Sequence, residues 1–371
     1  MILDQGAMSI STTQFVILGV GAFALTGLLT WPVRAFAIRL GAMDAPNLAR
    51  KTQAEPVPYL GGVAIALGIT IITLAAVFVG GNKSGENSGQ LKDLALTVLL
   101  PALVLGAMGL FDDLRSLSPW PRLIAQSVVG TLVAFVIVNN GTVGTPFGNG
   151  SSVDSGSWIN TALTIFWIVA ICNSINFFDN LDGAASGAVA IAALGVFVIA
   201  FDRGQELVSA LSIVTAGATI GFLMWNKSPA KIYMGDAGAL FLGIIISVAT
   251  IRLNPGIVPT WKSLTIPVIL LAVPLLDTSV SIFSRILRGE SPLKGGRDHL
   301  SHRLIDRGYS RKAVFYLLCM AESMTTLIAI LVYKSTQTIS SMLILLCSCI
   351  WLASLFIFIR YLDNQSDTPK I

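Results

Sequence analysis

The stretch WINTALTIFWIVAICNSINFFDNLDGAASGAVAIAALGVFVIAF, residues 158–201, consists of two apolar runs joined at a polar seam. Each run is close to the roughly 20 residues that a helix needs to cross the hydrocarbon core of a bilayer. At the seam, Asn173, Asn176, Asp179, Asn180 and Asp182 set three carboxamides and two carboxylates directly against apolar residues. Only 12% of the 371 residues are charged and 54% are hydrophobic. Soluble domains carry about a quarter charged residues, so the solvent implied is a bilayer. Backbone groups in lipid must satisfy one another, which makes the runs helices and not open strands. The fold class is therefore an all-α polytopic integral membrane protein.

Outward from this pair, eleven candidate spans are predicted: 13–31, 60–80, 93–110, 122–139, 158–178, 183–201, 206–224, 238–253, 262–283, 313–333 and 339–359. Cys172, Cys319, Cys347 and Cys349 all fall inside these spans and read as small core residues. The first twelve residues hold no basic residue, so no cleavable signal peptide is expected. Eighteen of the 24 Lys and Arg residues sit on one set of connections and six on the other. The positive-inside rule then puts the N-terminus outside and the C-terminus in the cytoplasm. The net charge of +4 is mostly this topology signal and carries no nucleic-acid footprint. The whole chain, 1–371, reads as one membrane-embedded domain with cytoplasmic loops at about 32–59, 111–121, 179–182, 225–237 and 284–312.

Those loops hold the chemistry. In GLFDDLRSLSPWPR, Asp112 and Asp113 follow directly on the third span and precede Arg115 and Arg122. Neighbours on a helix point about 100° apart, so one of the two faces a common centre. In the seam, Asp179 and Asp182 are three apart and are expected on one helical face with Asn176 and Asn173. Capping of the next helix accounts for one aspartate but not for carboxamides inside an apolar run. Gly183 and Gly187 leave room for a phosphate or a neighbouring backbone. In MGDAGAL, Asp236 lies between Gly235 and Gly238, where it caps a helix or ligates a metal beside phosphate. In GGRDHLSHRL, Arg297, His299, His302 and Arg303 group two imidazoles with two guanidiniums, a set of donors suited to a diphosphate. His299 and His302 are predicted on one helical face. Asp277, inside the ninth span, lies about 9 Å from its loop end and either supports this site or pairs with a neighbouring helix.

Every carboxylate cluster falls on the cytoplasmic side, opposite a basic loop. That suits a divalent cation held by carboxylates and substrate phosphates, magnesium with manganese as alternative, and not zinc. A transporter would instead place polar groups near the midplane on broken helices.

In combination, FDD, NSINFFDNLDG, MGDAG and DHLSHRL, running from DAPNLARKTQAEPVPYLGG onward in this order, resemble the polyprenyl-phosphate N-acetylhexosamine-1-phosphate transferases of glycosyltransferase family 4. The resemblance implies transfer of a sugar phosphate from a UDP-sugar donor to a polyprenyl phosphate acceptor in the plasma membrane, with the active site on the cytoplasmic face. By it, Asp112 and Asp113 match the paired aspartates, Asn176, Asp179 and Asp182 the nucleotide-site and catalytic residues, and Asp236 the magnesium ligand, with Asp113 beside it. Asn173 extends the nucleotide set. Arg297, His299, His302 and Arg303 match the diphosphate loop, and Lys51, Arg122 and Asp277 are expected in support. Asn180, Ser301 and Gln53 depart from the common pattern. The three consecutive histidines of the UDP-muramoyl-pentapeptide relatives are absent.

The expected reaction joins GlcNAc-1-phosphate from UDP-GlcNAc to undecaprenyl (polyprenyl) phosphate and releases UMP. The alternatives are another UDP-N-acetylhexosamine as donor, an aspartate-rich membrane prenyltransferase, and a non-enzymatic anion transporter. A homodimer is one option among oligomeric states that sequence does not fix.

Overall fold

The computed structural model describes residues 10–44, 56–80, 95–115, 117–139, 158–257, 260–293 and 295–366. Among these the chain forms thirteen α-helices and one two-stranded hairpin. The helices are α1 (Thr12–Arg39), α2 (Gly61–Gly80), α3 (Leu100–Arg115, entered through a π turn at Ala95–Leu99), α4 (Pro119–Asn139), α5 (Trp158–Phe178), α6 (Ala184–Asp202) and α7 (Glu206–Asn226). They continue with α8 (Gly235–Arg252), α9 (Thr260–Leu270), α10 (Ala272–Leu287), α11 (Leu300–Asp306), α12 (Arg311–Lys334) and α13 (Gln337–Ser366). Strands β1 (Met43–Asp44) and β2 (Val57–Pro58) pair antiparallel.

Each predicted span falls on helix where the chain is described, apart from single end residues and a break at Leu271. Eight described helices are long and apolar enough to cross a membrane, and the bent pair α9–α10 makes nine if it counts once. The apolar part of α2, Gly61–Val77, is shorter. The described helices thus meet the length test for eight or nine crossings, against the eleven expected.

The boundaries shift in ways that matter for the site. Helix α1 runs through Pro32 to Arg39, so the first expected loop begins inside a helix. Helix α3 continues through Arg115, which puts Asp112 and Asp113 in its last turns and not after it. The ninth expected span is broken: the axes of Lys262–Leu270 and Ala272–Leu287 differ by 76°. Pro274 accounts for the break, since it lacks an N–H and in an unbroken helix its ring would meet the carbonyl of Leu270 four residues back.

The bundle is built around α8. From Ala237 to Arg252 every residue of this helix is buried, packed among α2, α3, α5, α6 and α7. A helix apolar all round belongs in the middle of a bundle. Its start is also where α3 crosses closest. A Cβ on Gly109 would lie 2.3 Å from the carbonyl oxygen of Asp236, so only glycine lets the two backbones meet there. Gly235 begins α8 at φ +74°, and a Cβ on it would lie 2.6 Å from Asp113 Oδ2. These two positions bring Asp112, Asp113 and Asp236 to one end of the bundle.

Gly109→Ala should force α3 off α8, lowering stability by about 2 kcal/mol and with it the apparent melting temperature in detergent. Gly21→Ala, where the nearest atom is a flexible Ile72 methyl at 3.5 Å, should leave melting unchanged. Equal melting of the two variants would contradict the close crossing.

Candidate active site

Helix α8 carries no cap of its own: Met234 precedes it in helical geometry and offers no side-chain hydrogen bond. The first N–H groups of a helix lack internal partners and carry the positive end of its dipole. Here other elements supply the acceptors. Asp236 N–H donates to Asp113 Oδ1 at 2.9 Å and Ala237 N–H to Asp113 Oδ2 at 3.1 Å. The Gly235 N–H faces the carboxyl of Asp179. Burial raises the pKa of Asp179 well above its ordinary value, and the charges of Asp236, Asp113 and Asp182 push it further.

With its backbone held this way, Asp236 presents its side chain to the site. Its Oδ2 accepts from Arg122 Nη1 at 2.6 Å and its Oδ1 from Asn176 Nδ2 at 2.6 Å. The same guanidinium nitrogen lies 2.9 Å from Asp112 Oδ2, so Arg122 sits between two carboxylates. Asp112 is nearly buried, and its Oδ1 accepts from Leu117 N–H at 2.5 Å. Asp236 is thus the presented group and not the cap of α8. Asp113, expected at the metal, has both oxygens on backbone amides.

The seam does not form one helical face. Helix α5 ends at Phe178, and residues 179–183 are a turn from which the two aspartates diverge. Asp179 goes to the start of α8. Asp182 accepts from Ala230 N–H at 3.2 Å and from Arg311 Nη2 at 3.3 Å, tying the loop before α8 to the start of α12. Asn176 reaches Asp236, whereas Asn173 donates to Gln126 Oε1 on α4 at 2.5 Å and to the Val169 carbonyl at 2.7 Å. Gly183 and Gly187 make room for Phe315 and Cys319 of α12 and not for a phosphate.

A second cluster adjoins the same turn. Asn180 accepts from Ser301 Oγ and lies 3.5 Å from Asp277 Oδ2. Asp277 is fully buried, and its oxygens meet His299 Nδ1 at 2.7 Å and Leu300 N–H at 2.7 Å. A carboxylate against Nδ1 fixes a proton there and orients the ring. His299 is extended (φ −71°, ψ 153°) and precedes α11, so it does not share a helical face with His302. Their rings nevertheless stand 6.2 Å apart. His302 is buried with Nδ1 unpartnered. Burial, then the charges of His299 and Arg297, lower its pKa to about 4.

The arginines of this loop act on protein groups. Arg303 donates to the Asp298 carbonyl, Ser284 Oγ and the Phe358 carbonyl. Arg297 pairs with Asp306 at 2.7 Å on the surface. Two residues that sequence reading passed over do more. Arg285 bonds Asp298 at 2.9 Å, and its guanidinium lies 5.5 Å from the Phe177 ring centroid. Burial works against ionisation of Asp298, yet bonds from Arg285 and Arg288 hold its carboxyl below the usual range. The signal was present: Asp277, Ser281 and Arg285 follow at four-residue steps along one face of α10. Lys51 lies outside the described residues.

Among the described residues no three His, Cys, Asp or Glu side chains converge as a closed metal cage. The donors at hand are hard oxygens on Asp112 and Asp236, with Asn176 beside them. By donor type that set fits a magnesium ion, which takes one or two carboxylates and fills its octahedron with water and substrate phosphate, but only with Arg122 turned from between the two carboxylates.

His302 predicts a pH dependence of stability. Its proton is bound less tightly in the fold than in the unfolded chain, so between pH about 6.5 and about 4 the unfolded state binds more protons and stability falls as pH falls. The loss is at most about 3 kcal/mol. His302→Gln should flatten this slope in melting experiments, and an unchanged slope would contradict the burial of a neutral imidazole.

Residues 95–254 match the model of Glycosyl transferase family 4. A Bacillus subtilis (strain 168) protein named "Probable undecaprenyl-phosphate N-acetylglucosaminyl 1-phosphate transferase" is 32% identical over 344 residues, covering 92% of this chain and 88% of that protein. A decaprenyl-phosphate N-acetylglucosaminephosphotransferase of Mycolicibacterium smegmatis is 28% identical, over 85% of this chain and 81% of its own. A phospho-N-acetylmuramoyl-pentapeptide-transferase of Streptococcus thermophilus is 30% identical, over 65% and 73%. A relative at 32% identity along nearly the whole of both chains places the protein in a family: it belongs to glycosyl transferase family 4.

Proposed function

We propose that the chain transfers GlcNAc-1-phosphate from UDP-GlcNAc to undecaprenyl, or a similar polyprenyl, phosphate with Mg²⁺ as cofactor, at the cytoplasmic face of the plasma membrane. The observation that carries this reading is the meeting of two clusters across the turn 179–183. On one side stand Asp112, Arg122, Asp236 and Asn176, and on the other Asp277, His299 and His302. A carboxylate cradle able to share a divalent cation with substrate, beside two imidazoles, suits phosphates approaching from both substrates. The names of the B. subtilis and M. smegmatis relatives support N-acetylglucosamine as the sugar. The excess of Lys and Arg on the loops of this face supports its cytoplasmic side.

In the step itself, an oxygen of the acceptor phosphate attacks the donor phosphorus that carries the sugar. A new P–O bond forms, the bond to the oxygen bridging to UMP breaks, and the electron pair leaves on UMP. A phosphate monoester has its second pKa near 6, so the acceptor reaches the site mostly as a dianion and needs no strong base. Direct attack follows, with Asp112 orienting the acceptor. Asp112 and Asp236 would hold Mg²⁺, which supplies charge neutralisation on the phosphoryl oxygens. Asp113 and Asp179 hold the start of α8, so that Asp236 stays aimed at the site. His299, its Nδ1 held by Asp277, turns its ring to the donor's diphosphate side, and His302 stands beside it. Phosphoryl transfer leaves little covalent work for side chains, so positioning and charge account for most of the rate.

Purified protein given UDP-GlcNAc, undecaprenyl phosphate and Mg²⁺ should release UMP in step with lipid-linked GlcNAc. Chelation should stop the reaction, and Asp236→Asn should lower kcat at least about 100-fold, as loss of several kcal/mol of charge stabilisation requires. UMP release without lipid acceptor would contradict direct attack. Turnover only with a different UDP-N-acetylhexosamine would replace the sugar and keep the mechanism.

A further inference from the structure

Glu322 lies at the middle of α12 and is fully buried, the last place where a carboxyl is expected in a membrane helix. The other inward residues of α12 are apolar or Thr: Val314, Phe315, Leu318, Thr326, Ala329 and Val332. An apolar residue at 322 would pack there without the cost of desolvating a carboxyl, so the partner of Glu322 explains it.

That partner is the break between α9 and α10. Where Pro274 interrupts the helix, backbone groups on either side lose their internal bonds, and in lipid they must find others. Side chains from two different helices bond the backbone here, one to an orphaned amide and one to a carbonyl at the start of α10. Val273 N–H donates to Glu322 Oε2 at 3.3 Å, and Trp351 Nε1 of α13 donates to the Ala272 carbonyl at 2.9 Å. The second carboxyl oxygen, Oε1, has no hydrogen-bond partner. The 76° bend is thus clamped from the neighbouring helices.

The consequence reaches the site. The buried face of α10 runs from Val273 through Asp277 and Ser281 to Ser284 and Arg285. Asp277 is one helical turn beyond the clamp, about 6 Å along the axis. Ser281 and Asp277 hold His299, Ser284 takes Arg303, and Arg285 holds Asp298. A small change in the roll or tilt of α10 moves this whole row against His299 and helix α11, which carries His302.

We infer that Glu322 is a positioning residue: by accepting from Val273 at the break it sets the angle and roll of α10, and through Asp277 the place of His299. It touches no substrate. The inference rests on the proposed reading of the His299 loop as the diphosphate side of the donor site.

The test is steady-state kinetics with UDP-GlcNAc and undecaprenyl phosphate on the full chain. Glu322→Leu, which keeps volume and removes the acceptor, should raise the KM for the donor about tenfold and leave the acceptor's KM unchanged. Glu322→Gln, whose carboxamide oxygen still accepts from Val273, should restore the donor KM to within about twofold. In the Asp277→Asn background, Glu322→Leu should add little, because both act on the same imidazole. Trp351→Phe, removing only the second bond of the clamp, should move the donor KM in the same direction and keeps the test open if Glu322→Leu does not fold. Gln as damaging as Leu, equal shifts in both KM values, or full additivity with Asp277→Asn would overturn the inference. Failure of wild-type protein to turn over any UDP-sugar would instead overturn the functional reading on which it rests.

Discussion

Two backbone amides at the start of α8 take their acceptors from Asp113 on another helix, and the rest of the site follows from that exchange. A helix start buried among other helices has unpartnered donors and a positive field, and both call for an anion. With a carboxylate from α3 in that place, α3 and α8 are locked end to end. Gly109 permits the close crossing, and Gly235 accepts the turn into α8 that puts its backbone against Asp113. Only then do Asp112 and Asp236 stand on either side of Arg122. The paired aspartates of the FDD motif therefore make different contacts: Asp112 meets Arg122 beside Asp236, and Asp113 holds the backbone at the start of α8.

The second half of the site depends on a different constraint, the broken span. In water a helix break exposes backbone groups that solvent satisfies, but inside a membrane bundle the neighbours must satisfy them. Glu322 and Trp351 do so, and the angle they hold aims the polar face of α10 at loop 288–299. The turn 179–183 sits between the halves, with Asp179 toward α8 and Asn180 toward Asp277. Charge balance follows the same division. Carboxylates gather around one guanidinium near α8, while two buried imidazoles and arginines already paired with protein groups gather near α10.

Much of this was legible in the sequence because the bilayer leaves few choices. A run such as residues 183–201 has to be a helix, and polar residues at its end have to face a partner. The groups at Asn176, Asp179, Asp236, His299 and His302 were readable on that ground. What was not readable is direction. Asn173 and Asn176 share a helix, yet one turns to Gln126 and the other to Asp236, a choice made by the packing of α4 and α8. Asp179 and Asp182 diverge because α5 stops at Phe178, one residue before the spacing argument needs it to continue. Arg303 looks like a phosphate ligand in sequence and is a staple to Phe358 in the fold. Pro274 signalled the break, but the bend it produces depends on residues 48 and 77 positions later, which no local pattern connects.

The central claim is that Asp113 holds α8 and does not itself enter the chemistry. Hydrogen–deuterium exchange on Asp113→Ala, with fragments resolving Asp236 and Ala237, tests it most directly. If Asp113 is the acceptor for those two amides, the variant should lose their protection together with its UMP release. Full protection at both amides in a variant that has nonetheless lost activity would contradict the account and return Asp113 to the reacting groups.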